Sequence, residues 1–74
     1  MKVITRKSNE LDALNEAREL SKTTAEVVNV IESPDQQHPD SPFVIEVGEN
    51  EFIRSWERHC AKFRNGQRCE IYGG

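Results

Sequence analysis

The apolar positions of the chain change their spacing along its length. Lys2-Val3-Ile4-Thr5-Arg6 is short and β-branched, which predicts a first strand, and Ser8-Asn9 breaks it. From Glu10 to Ser21 the spacing becomes helical. Leu11, Ala13, Leu14, Ala17 and Leu20 share one broad face, and Asp12, Glu16 and Glu19 point away from it. Asn9 with Asp12 three residues later resembles a capping box with Asp in place of Glu, and Ala, Leu and Glu favour helix intrinsically. Residues 25–33, AEVVNVIES, give the strongest strand signal. Both of their alternating faces carry apolar groups, so the strand is expected to be covered on both sides or to carry a bulge. Residues 34–42 hold all three prolines and read as a polar loop. Phe43 to Val47 is the next strand, and Gly48 ends it.

The segment from Asn50 to Gly66 carries the clearest periodicity. Phe52, Ile53, Trp56, Cys60 and Phe63 recur at helical spacing and make one apolar stripe, with Asn50 as cap and Asn65-Gly66 as left-handed stop. This predicts a second helix over residues 50–65. Cys69 and Ile71 then alternate with polar residues, which predicts a last strand over residues 67–72.

These elements make one α+β domain over residues 1–74. Two helices would pack on one face of a small four-stranded sheet in the order β-α-β-β-α-β, the arrangement of the ferredoxin-like split βαβ. The expected core is Val3, Leu14, Ala17, Leu20, Val28, Val30, Phe43, Ile45, Ile53, Trp56, Cys60, Phe63, Cys69 and Ile71. With both helices on one face, valines of strand 25–33 would lie uncovered on the other. A homodimer through that open sheet face is the simplest remedy.

Composition narrows the function. No apolar run approaches the roughly 20 residues that span a bilayer, and MKVITRKSNE lacks an apolar core of signal-peptide length. The expectation is a cytoplasmic protein without membrane contact. The net charge of −3 is unevenly spread. Residues 1–51 hold five Lys/Arg against eleven Asp/Glu, a net −6, and residues 52–74 hold five against two, a net +3. Such polarity suits charged partners. His38, His59, Cys60 and Cys69 lack metal-ligand spacing. Cys60 on an apolar stripe is a poor nucleophile, and two cysteines read as free thiols rather than a disulfide framework. No carboxylate pair in the sequence shows a pattern that would drive two pKa values apart, and there is no glycine-rich phosphate loop. These features predict a non-enzymatic protein with no cofactor and no metal.

The most informative polar pattern is the predicted helix's basic face. Arg54, Arg58 and Lys62 follow at i, i+4 and i+8, with Arg64 and Arg68 nearby. They are the candidate partner-binding residues, and an acidic protein surface is their expected counterpart. Two alternatives are weighed beside it. The same ridge would serve a nucleic-acid-binding module. The acidic residues Glu10, Asp12, Glu16, Glu19, Glu46, Glu49 and Glu51 would suit a phage-type inhibitor that imitates a nucleic-acid backbone. The tail ends in Gly73-Gly74, as ubiquitin-like modifiers do, although those begin with a β-hairpin and this chain begins strand-then-helix.

Overall fold

The computed structural model describes residues 2–49 and 54–69. They form one helix and a five-stranded sheet, in chain order β1 (Lys2–Lys7), α1 (Glu10–Thr23), β2 (Val28–Glu32), β3 (Phe43–Val47), β4 (Arg58–Arg64) and β5 (Gln67–Cys69). The spatial order is β1-β3-β2-β4-β5, with every neighbouring pair antiparallel. β1 and β2 therefore run parallel, joined by α1, with β3 inserted between them.

α1 forms as its sequence dictates. The Asn9 side chain accepts from the Asp12 N–H at 2.8 Å, and its amide donates to the Asp12 carboxylate at 2.9 Å. That reciprocal cap satisfies a first-turn donor that the helix itself leaves open. Ala13, Ala17 and Ser21, spaced by four, are fully buried against the sheet. Their small side chains let the helix backbone come close. Leu14 and Leu20 flank this seam half-buried, while Leu11 is 67 % exposed, so the apolar face is narrower than the leucine pattern suggests. Beneath the helix lie Val28 and Val30 of β2, Ile45 and Val47 of β3, and Cys60, Ala61 and Phe63 of β4. β2 is the central strand, and Val28 to Ile31 are all buried.

The expected two-helix, four-stranded fold is overturned in its second half. No helix occupies the described part of residues 50–65. Arg58–Arg64 is a strand, Asn65 and Gly66 are a two-residue turn, and Gln67–Cys69 returns beside it. The physical reason is a β-bulge. Val30 pairs with Ala61 and Ile31 with His59, so Cys60 is an extra residue on β4. Cys60 and Ala61 consequently both face α1 together with Phe63. A bulged strand breaks the two-residue alternation, and apolar groups at 56, 60 and 63 then imitate a helical stripe. Asn65-Gly66 was the competing signal. Both residues have positive φ, 54° and 79°, as an Asn-Gly hairpin turn requires.

Several expected core positions change with the fold. Trp56 is 62 % exposed and Val3 55 % exposed. Phe43 and Cys69 are half-buried. Ile53, Ile71, Phe52 and the Gly73-Gly74 tail lie outside the described residues. Val27 and Ile31 are buried within the single chain, so the uncovered valine face that motivated a homodimer is not present. Both cysteines are free, and among the described residues no helix is long and apolar enough to cross a membrane.

The hairpin turn is tied to the helix by one buried hydroxyl. Ser21 Oγ accepts from the Gly66 N–H at 2.8 Å and donates to the Arg18 carbonyl at 2.7 Å. A Cβ on Gly66 would lie 2.8 Å from Cγ of Lys22. Gly66→Ala must therefore strain the left-handed backbone and displace the Lys22 stem, an expected cost of about 1–2 kcal/mol. Thermal melts of Gly66→Ala and Gly66→Asn check this. Asn tolerates positive φ and should lose less, and an unshifted melt for the alanine variant would contradict the close approach.

Candidate functional site

The five cationic candidates do not form a ridge, because they do not share a helix. Arg58 projects on the helix side of the sheet and bridges Glu10 and Glu32, both at 2.9 Å. Its pKa is raised by these two contacts, that to Glu10 first. Lys62 and Arg64, two residues apart on a strand, share the other face and both reach Glu49, at 3.3 and 3.2 Å. Arg68 donates to the Cys60 carbonyl at 3.1 Å. Arg54 sits apart in the turn before β4. These charges are distributed over both faces of the sheet and mostly neutralised where they stand. Exposed pairs of this kind add about 0–1 kcal/mol each.

The acidic surface is likewise divided. Glu10 pairs with Arg58, Glu16 with Lys7, Glu19 with Lys22 and Glu49 with Lys62 and Arg64. Glu51 lies outside the described residues. Among the described residues no three His, Cys, Asp or Glu side chains gather as a metal site needs. His59 and Cys60 act separately: His59 bonds Asn29 on the face away from α1, and Cys60 is buried under α1 with its thiol pKa pushed up by that burial.

What the tertiary structure assembles instead is a cleft of about 500 Å³ on the sheet face opposite α1. Val3 and Arg6 of β1 and Val44 and Glu46 of β3 form its floor. The loop from Ser33 to Gln36 makes one wall and the turn from Arg54 to Glu57 the other. Both walls are held. Arg6 donates from Nε to the Ser41 carbonyl and from Nη2 to the Ser33 carbonyl, both at 2.9 Å. Glu57 accepts from Ser33 Oγ at 2.5 Å and from the Arg54 N–H at 2.8 Å, and its own N–H donates to the Arg54 carbonyl at 2.9 Å. The 54–57 turn is thus closed on itself and latched across to β2's end.

Within the cleft two carboxylates are driven apart, which no sequence pair foretold. Burial first, and then the charge of Glu57, pushes Glu46 up. Burial acts on Glu57 in the same direction, but the Ser33 hydroxyl and the Arg54 N–H outweigh it and hold Glu57 low. Opposed shifts of this sort accompany acid–base pairs in enzymes. Here the low member has both oxygens committed to the latch, so it acts as an anionic anchor for the turn.

Trp56 stands on the rim. Its ring carries the Arg54 guanidinium 5.7 Å from the centroid. A tryptophan left this exposed in a small domain is unusual, since the residue buries more area than any other when it can. Val3 in the same cleft and Ile4 beside it add further exposed apolar area. The sequence pattern places both Trp56 and Val3 in the core and singles out neither Arg6 nor Asp35 as a site residue, whereas the structure brings all four to one cleft. The Asn65-Gly66 hairpin signal is the clue that releases Trp56 from the stripe. Compared with known proteins, the chain matches no family, no curated protein and no solved structure.

Proposed function

We propose that this protein is a non-enzymatic binding module that docks a protein partner in the cleft beside β1 and β3, with Trp56 as anchor and Arg54 stacked on it. The observation that carries the reading is the exposed Trp56–Arg54 pair on the rim of a latched cleft. Tryptophan and arginine are the residues most enriched among energetic hot spots of interfaces. A turn closed on itself and latched to Ser33 presents them without a large ordering cost on binding.

A nucleic-acid ligand is disfavoured by the same geometry. Asp35, Glu46 and Glu57 face the cleft and repel phosphates, while Arg54 already covers the indole that would stack a base. Backbone mimicry is disfavoured because the carboxylates of α1 that would present it are mostly engaged in ion pairs.

The test is capture of partners by cross-linking and mass spectrometry from the native host, comparing wild type with Trp56→Ala and Arg58→Glu. Trp56→Ala is expected to keep its melting temperature, because the side chain is mostly in water, and to lose about 30-fold or more in partner affinity. Arg58→Glu should leave capture unchanged. Loss through Arg58 and retention through Trp56 would return the reading to the basic residues of β4.

A further inference from the structure

The geometry points to an extended, acid-flanked β-segment of the partner, added as a sixth strand along the edge of β1 that no described residue covers. This inference rests on the protein-binding reading and specifies the partner segment that lies beside the cleft, with β1 between it and Glu46 of β3.

Among the described residues β1 is the terminal strand of the sheet and pairs only with β3. Alternate N–H and C=O groups along its outer edge point away from the sheet, as they must in any antiparallel edge. It spans six residues, long enough for a useful ladder, whereas the opposite edge, β5, spans three in the described chain. β1 also forms part of the cleft floor through Val3 and Arg6, so a strand laid beside it borders the cleft that Trp56 rims. Peptides added to sheet edges take affinity from the ladder and specificity from side chains beside it.

The charge of β1 selects the occupant. Lys2-Val3-Ile4-Thr5-Arg6-Lys7 holds three cations and no anion, with the cations at its ends and β-branched residues between them. Lys7 reaches Glu16 at 2.7 Å on the α1 side, while Arg6 bonds two carbonyls and makes no ion pair among the described residues. A cross-strand neighbour that places acids against the ends and a β-branched residue against Val3 and Ile4 complements both features. A second copy in the centred antiparallel register is disfavoured by the same logic. Antiparallel self-pairing about the strand centre sets Lys2 against Lys7, and like charges directly opposite are destabilising. The bulge at Ile4, where the register with β3 shifts between Val3 and Thr5, further roughens the edge against indiscriminate pairing.

The experiment titrates the isotopically labelled full chain with two peptides and follows backbone amides by NMR. One is the acid-flanked probe Glu-Val-Ile-Val-Glu-Glu, and the other is the chain's own β1 sequence, Lys-Val-Ile-Thr-Arg-Lys. The acidic probe is expected to shift amides of β1 and the Trp56 indole N–H. It should bind about tenfold more tightly than the basic peptide at low salt, from two or three complementary pairs. Added salt should erode that preference. Absence of β1 shifts, or equal binding of both peptides, overturns the inference. If β1 stays silent while partner capture still depends on Trp56, the sixth strand is wrong and the docking cleft stands. If Trp56→Ala leaves capture intact, the cleft reading itself fails.

Discussion

Phe63→Ala is expected to leave the chain at the limit of folding. Phe63 is 1 % exposed and is the largest fully buried side chain of the described core. It faces α1 from β4, opposite Val28 of β2, and its ring lies 5.5 Å from the Arg18 guanidinium. Removing a buried phenylalanine costs about 3–5 kcal/mol, because the transfer energy is lost and the cavity only partly collapses. A domain of this size has only about 4–11 kcal/mol in total. Urea unfolding followed by circular dichroism measures the loss. Phe63→Leu should retain more of the stability because it refills most of the volume. An alanine variant within about 1 kcal/mol of wild type would show that β4 does not carry the core as described.

The second large effect is expected at Asn29, a polar side chain with no exposed surface in the middle of the central strand. Its amide donates to the Gly48 carbonyl at 2.7 Å, and its carbonyl oxygen lies 3.1 Å from Nε2 of His59. Asn29 therefore ties the end of β3 to β4 across β2. Asn29→Ala leaves a backbone carbonyl and an imidazole without their partner, and the expected cost is about 2–4 kcal/mol at one to two per orphaned group.

The same imidazole makes stability sensitive to acid. Burial first, and then the charge of Lys62, pulls His59 below its ordinary value of 6.5. The folded protein thus holds His59 neutral while the unfolded chain takes up a proton near that value. Stability is complete above it and falls as the pH drops towards the lower folded value. Glu46 works the other way: its raised folded value adds stability that is complete below its ordinary 4.5 and is lost as the pH rises above it, so it offsets the His59 decline only at the acid end. Urea midpoints from neutral to mildly acidic pH read the His59 effect. Asn29→Asp, which gives the imidazolium a carboxylate, should flatten the decline even though it lowers stability at neutral pH. A wild-type midpoint unchanged across this window would contradict a buried neutral His59.

The first half of the chain was legible because its signals are local. Asn9 and Asp12 cap a helix that begins at Glu10 as read, and the structure carries it to Thr23 rather than Ser21. Phe43–Val47 is a strand with the bounds that its alternation indicates. Strand 25–33 narrows to Val28–Glu32, and its two apolar faces reflect a central position between β3 and β4. The docking site was not legible, since Val3, Asp35 and Trp56 are far apart in sequence and meet only when β1 lies beside β3. The basic residues looked like a ridge only under helical spacing. Under strand spacing Lys62 and Arg64 fall together on one face, and Arg58 joins Glu10 and Glu32 on the other.

By itself, the sequence determined α1, its cap, the loop with three prolines and the β-branched segments of the sheet, because capping, proline geometry and side-chain alternation act within a few residues. The tertiary structure alone decided the state of Arg58–Arg64, the burial of Asn29 and the exposure of Trp56. A bulge at Cys60 made helix and strand periodicities coincide there, and only pairing with β2 on one side and β5 on the other favours the extended backbone.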